Sequence, residues 1–243
     1  MSALARDARI LWQFFRGQSG GGTHAERLER FYRPQAAHYD AFRDRLLHGR
    51  RELVERLAPP PGSTVIELGG GTGSNLEFLG SRMFSLSRFE VVDLCPALLE
   101  QAKLRCARWP DVAHTVEADA ALYRPSQSAD RVILSYALTM MPDWRAVLSN
   151  AIAMLRPGGL IGVVDFYVSG KTPLDGRAHH GALARALWPR WFAHDGVHLN
   201  ALHLEHLCEE TDAVWCDERM GRIPFLPGLR APYYLFIGRK RQS

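Results

Sequence analysis

The stretch Thr64-Val65-Ile66-Glu67-Leu68-Gly69-Gly70-Gly71-Thr72-Gly73 constrains the rest of this chain more than any other. A mostly apolar run enters a glycine-rich turn, and a helical pattern with Leu76, Phe78 and Leu79 leaves it. The combination predicts a buried strand, a tight turn and a helix N-terminus. Glycines suit such a turn because the backbone must reverse sharply and let a ligand approach with no Cβ in the way. The helix start offers free N–H groups and a partial positive charge. Twenty positions after Gly73, at the end of a second apolar run over 89–92, stands Asp93. A carboxylate there can accept hydrogen bonds from both ribose hydroxyls of a nucleoside.

The dinucleotide fingerprint G-x-G-x-x-G/A fits poorly: from Gly69 the third small position falls on Ser74, and from Gly71 on Leu76. This disfavours a nicotinamide-dependent oxidoreductase. The spacing reads better as acid-x-Gly-x-Gly-x-Gly on Glu67, Gly69, Gly71 and Gly73. That pattern resembles motif I of the class I S-adenosylmethionine (SAM) methyltransferases. The competing reading is an ordinary glycine turn of an α/β protein, against which the strand, the helix and the distal acid all count.

Around this centre the chain alternates strand and helix. The expected strands cover 89–93, 113–118 ending at Asp119, 130–136 ending at Ser135-Tyr136, and 160–167. A helix from Pro96 to about Arg108 and another capped by Asp143 lie between them; the turn Arg156-Pro157-Gly158-Gly159 ends the second. A His- and aromatic-rich insertion over 168–200, a Leu-rich helix and strands near 213–219 and 231–238 complete the pattern. The fold class is therefore α/β: a Rossmann-like, mostly parallel sheet with an antiparallel closing strand, preceded by N-terminal helices. Residues 1–60 read as a helical lid or membrane-association segment. Residues 61–243 read as the catalytic domain, with 168–200 on the substrate side. Within the first segment, 3–16 form an amphipathic helix that suits a bilayer interface or the protein's own body equally. Thr23-His24-Ala25-Glu26 is a capping box, and Pro34 can start a further helix.

A formal net charge of +4, with arginines spread along the 243 residues rather than gathered in a stripe, argues against a nucleic-acid partner. The four cysteines have no C-x-x-C spacing and read as reduced residues of a cytoplasmic protein. No signal peptide or membrane span is expected. His203 and His206 lie three apart on a helix, but the spacing matches no strong zinc pattern, so no metal is expected.

Further stretches narrow the resemblance. They are Tyr39-Asp40-Ala41-Phe42-Arg43 with Leu46-Leu47-His48-Gly49-Arg50, Val92-Asp93-Leu94-Cys95-Pro96, Ser135-Tyr136-Ala137-Leu138-Thr139-Met140, Val163 to Val168, Trp188 to Asp195, and Pro232 to Phe236. Together they closely resemble the betaine-lipid N-methyltransferases over about residues 35–240. That family trimethylates diacylglyceryl homoserine to diacylglyceryl trimethylhomoserine. The resemblance implies SAM as cofactor, S-adenosyl-L-homocysteine as its product, and a lipid substrate with an amino-acid headgroup. It also implies peripheral membrane contact and contact with the enzyme that makes diacylglyceryl homoserine. Carried over by position, Glu67, Gly69, Gly71, Thr72 and Gly73 hold the methionine end of SAM. Asp93 with Leu94 binds the ribose, Asp119 with Ala120 the adenine edge, and Ser135 and Tyr136 flank the sulfonium. Asn75 is a further contact, and Tyr39 and Arg43 resemble a lid over the cofactor carboxylate.

Methyl transfer to an amine requires the nitrogen to be neutral at attack. Tyr136, Tyr39, Asp165 and His194 are the candidates to accept the proton or orient the amine, and the sequence does not choose among them. Tyr136, Tyr167, Trp191, Phe192 and Tyr233 form a pool of cation-π partners or, equally, of core rings. A phosphatidylethanolamine or small-molecule amine methyltransferase is the alternative reading.

Overall fold

The computed structural model describes residues 22–33, 45–173, 175–224, 226 and 228–241. The expected helix over 3–16 and the one starting at Pro34 lie outside these residues, as do Tyr39 and Arg43.

Helix α1 (His24–Tyr32) opens with the expected capping box: Glu26 N–H donates to Thr23 Oγ1, and Thr23 N–H donates to the Glu26 carboxylate at 2.8 Å. Helix α2 (Arg50–Leu57) follows Gly49, whose φ of +80° and tight fit against Tyr233 and Leu235 leave no room for a Cβ. After the prolines comes β1 (Thr64–Leu68), buried at every position because helices cover both faces of the sheet. The chain then runs through α3 (Leu76–Leu79), a 3-10 turn over 80–85, β2 (Arg88–Asp93), α4 (Pro96–Cys106), β3 (Ala113–Glu117) and β4 (Ala129–Ser135). It ends with α5 (Trp144–Met154), β5 (Leu155–Phe166), α6 (Ala182–Ala193), α7 (Leu202–Glu210), β6 (Thr211–Arg222) and β7 (Arg230–Lys240).

The seven strands are ordered β3-β2-β1-β4-β5-β7-β6, with β7 antiparallel to both β5 and β6 and the rest parallel. Alternate residues feed two cores. Val65, Val91 and Val164 point with Leu53, Leu99 and Trp188 to one face; Ile66, Leu134 and Val163 point with Leu148 and Leu207 to the other. Among the described residues no helix is long and apolar enough to cross a membrane.

The structure moves one boundary substantially. The turn Arg156-Pro157-Gly158-Gly159 does not precede the strand; it lies inside β5. Helix α5 stops at Met154, Ala129 pairs with Leu155 and Arg131 with Leu160, and the register shift between them absorbs the extra residues. Gly158, at φ +73°, makes that bulge. Pairing with β4 outweighs local turn chemistry here. The insertion over 168–200 holds α6.

Candidate active site

The glycine turn after β1 bends over the carboxyl end of the sheet, where open α/β sheets bind ligands. Gly69, Gly71 and Gly73 all have φ between +57° and +70°, the region glycine enters without the Cβ penalty. A Cβ at Gly69 would stand 2.6 Å from Ala137 Cβ and 2.9 Å from Met141 Cε, so the turn can lie this close to the β4 loop only as glycine. Beneath it Glu67 is buried; its carboxylate accepts from Asn75 Nδ2 at 2.6 Å, and Asn75 Oδ1 accepts in turn from Arg50 Nη1. Arg50 also donates to Ser74 Oγ at 2.9 Å. A buried carboxylate is stable only with such partners. This network ties α2 to the turn.

Asp93, at the end of β2, accepts from Gly71 N–H at 2.8 Å and from Cys95 N–H at 2.9 Å, so the carboxylate pins the glycine turn to the next loop. It lines a cavity of about 230 Å³ together with Gly69, Gly71, Leu94, Asp119, Ala120 and Tyr136. These predicted positions therefore converge. Asp119 is held in place by Ala121 N–H, which donates to its carboxylate at 2.8 Å. Glu67, Thr72, Gly73, Asn75 and Ser135 do not line the cavity; they lie behind it, buried or nearly so. Ser135 Oγ is buried with no hydrogen-bond partner among the described residues. The cavity thus joins carboxylates at two strand ends to apolar walls, a chemistry that fits a nucleoside with a thioether-sized tail.

One wall was not expected from the sequence. His24, Leu28 and Tyr32, spaced four apart on α1, close the cavity on one side, and Met140, Met141 and Val147 close it opposite. Tyr32 Oη donates to Met140 Sδ at 3.2 Å. Helix α1 is anchored by Glu29, whose carboxylate accepts from Ala97 N–H at 3.0 Å at the start of α4 and from Cys95 Sγ at 3.2 Å; Arg33 lies 2.6 Å away. Burial works against that charge, yet these donors outweigh it and hold the carboxyl below its usual range. The four-residue spacing was visible in the sequence, but on a short helix with a charged opposite face it reads as ordinary packing.

The candidate proton acceptors separate. Tyr136 lines the cavity at φ +53°, a strained value for a non-glycine residue. Its N–H donates to Val164 O, its hydroxyl donates to His48 O at 2.8 Å, and its ring lies 4.6 Å from Phe166. Burial, then nearby Asp165, raises its pKa well above the usual value, so the phenol keeps its proton. Asp165 is fully buried outside the cavity and accepts from Thr139 N–H, Thr139 Oγ1 and Phe166 N–H. Burial pushes it up to about 7 against those donors. It braces the loop that carries Met140. His194 lies at the end of α6, half exposed and 3.5 Å from Asp195, away from the cavity. The aromatic pool divides too. Tyr136, Phe192 and Tyr233 belong to one core, whereas Tyr167, whose hydroxyl donates to Glu218, belongs to the other.

Comparison with known proteins places the chain in a family. A family model described as a methyltransferase domain matches residues 39–214. The chain belongs to the methyltransferase domain family. Its cofactor is SAM, with S-adenosyl-L-homocysteine as the spent form. Among curated relatives, trans-aconitate 2-methyltransferase of Enterobacter sp. (strain 638) is 31% identical over 112 residues, 46% of this chain and 42% of the relative. Demethylmenaquinone methyltransferase of Tropheryma whipplei is 24% identical over 60% of this chain and 61% of its own length. This methyltransferase-domain chain thus spans about half the length of those relatives. The fold is similar to that of N-methyltransferase NodS from Bradyrhizobium japonicum WM9, solved with S-adenosyl-L-homocysteine, at TM-score 0.67 and 20% identity over 91% of this chain and 100% of that one. It is also similar to Haemonchus contortus phosphoethanolamine N-methyltransferase 2, at TM-score 0.70 and 15% identity over 91% and 61%. The seven-stranded sheet with its antiparallel closing strand is the class I architecture expected from the sequence.

Proposed function

We propose that the chain is a SAM-dependent N-methyltransferase whose acceptor is the amine of diacylglyceryl homoserine, methylated three times to diacylglyceryl trimethylhomoserine. The observation that carries the methyltransferase reading is the convergence of Gly69, Gly71, Asp93, Asp119 and Tyr136 on one cavity at the strand ends. The acceptor rests on the residue stretches that resemble the betaine-lipid family, and two similar folds bear N-methyltransferase in their names. Membrane contact follows from such an acceptor.

When bound, SAM supplies a methyl group on a sulfonium that leaves readily. The protein's task is then positioning. Asp93 would hold the ribose hydroxyls, and its bonds from Gly71 and Cys95 N–H keep the carboxylate oriented. Asp119 and Ala120 meet the adenine edge. Leu28, Met140 and Val147 exclude water from the cavity. Glu67, through Asn75 and Arg50, sets the turn. Tyr136 presents its ring to the acceptor nitrogen, which becomes a better cation-π guest with each methyl. The amine loses its proton to water before attack.

Methyl transfer from labelled SAM into mixed micelles tests this. Label in mono-, di- and trimethylated homoserine lipid is expected when micelles carry diacylglyceryl homoserine. Label only in phosphatidylethanolamine products would replace the acceptor. No SAM binding would remove the reading altogether.

A further inference from the structure

Helix α6 has two apolar faces where a surface helix needs one. Inward, Trp188 and Phe192 are buried. Outward, Leu183, Leu187 and Trp191 recur at every fourth residue with exposures of 79%, 40% and 38%. Single exposed apolar residues are unremarkable, but three in a row along one helix face form a patch that signals a binding surface. We propose that this outer face of α6 docks on an anionic phospholipid bilayer and holds the cavity against it, a proposal that rests on the acceptor being a lipid.

Charge selects the occupant. Residues 176–194 contain Arg177, Arg185 and Arg190 and no Asp or Glu. Arg177 is turned inward to Cys208, Cys216 and Glu218. Arg190 is exposed and donates to Ala186 O, so its guanidinium stays beside the apolar stripe, whereas Arg185, on the other side of the helix, donates to His180 O. An apolar stripe edged by the exposed Arg190, with a Trp among its members, matches a helix lying in the headgroup boundary. A second copy of the chain is a poorer occupant, since a two-fold contact would set this carboxylate-free face against itself.

The placement has a use. Trp188 lies 6.4 Å from Trp191 and 5.9 Å from Phe192, Phe192 lies 4.5 Å from Phe166, and Phe166 lies 4.6 Å from Tyr136. A continuous row of rings joins the docking stripe to the cavity wall. The face that meets the lipid and the ring proposed to meet the amine are thereby parts of one packed unit.

The experiment is co-sedimentation of the full chain with phosphatidylcholine vesicles, with and without phosphatidylglycerol, alongside SAM titration. The wild-type chain is expected to bind the anionic vesicles. A Leu183→Glu, Leu187→Glu, Trp191→Glu variant should bind them about tenfold or more weakly while keeping its SAM affinity, because the buried apolar area is lost. An Arg190→Glu variant, which leaves the apolar stripe intact, should weaken binding in the same direction. Undiminished binding by both variants overturns the proposal. So does a wild-type dimer that the apolar substitutions dissociate, since the face would then be an interface between copies. Wild-type vesicle binding without methylation of any lipid overturns the lipid-acceptor reading and leaves the docking face standing.

Discussion

At the scale of single residues, the site is built from groups that hold backbone at the edge of the cavity. Asp93 is the clearest case: its two oxygens already accept from Gly71 and Cys95. Asp93→Ala is therefore expected to weaken SAM binding about tenfold or more, measured by calorimetry, because it loses a ligand contact and frees the turn. Gly69→Ala tests the turn alone. A side chain at φ +66°, 2.6 Å from Ala137 Cβ, should cost roughly 1–3 kcal/mol of stability in denaturant unfolding. An unchanged midpoint would mean the turn relaxes without penalty. These residues were legible in the sequence because strand, turn and acid lie within one local spacing. The role of Asp165 was not. Its partner Thr139 is 26 residues away, and a buried carboxylate serving as a brace reads the same in sequence as one serving as a base.

At the scale of elements, α1 and α6 carry what the sequence left obscure. The capping box announced α1, but not that its His24-Leu28-Tyr32 face lines the cavity at the strand ends. That depends on docking to α4, which no local pattern encodes. Glu29 makes the docking bond to Ala97 N–H. Glu29→Gln should reduce SAM affinity roughly five- to tenfold, about 1–1.4 kcal/mol, because an amide oxygen can still accept from Ala97 N–H but without the charge. Equal affinity would mean that α1 stays seated on apolar contacts alone. The misplaced start of β5 has the same origin: Pro157 and Gly158 signal a turn locally, and only the partner strand turns that signal into a bulge.

At the scale of the whole molecule, burial sets the response to acid. His203 is 1% exposed, packed edge-on to Trp144, with no partner for Nδ1 among the described residues. Burial, then Arg145, lowers its pKa from 6.5 to about 4. The unfolded chain therefore takes up this proton first, and stability is lost as pH falls from 6.5 towards 4. Asp165 tilts the curve the other way, because its raised pKa makes its contribution fade as pH rises from 3.8 towards 7. The difference between wild type and His203→Phe isolates the histidine. In thermal melts the wild-type midpoint should fall more steeply below pH 6.5 than the variant's, and parallel curves would assign the acid sensitivity elsewhere.

The strand order carries a consequence for how the molecule is made. β7 lies between β5 and β6, and among the described residues β6 pairs with β7 alone. While the ribosome is still adding residues 230–240, β5 lacks one neighbour and β6 has none. The nascent chain can seat β1, β2, β3 and β4 early, with the glycine turn and Asp93 that line the cavity. The strands on the α6 side must wait until residue 240 has left the exit tunnel. Assembly on the ribosome is thus ordered: the β3-β2-β1-β4 side with its glycine turn can take shape first, and the β5-β7-β6 edge is completed last.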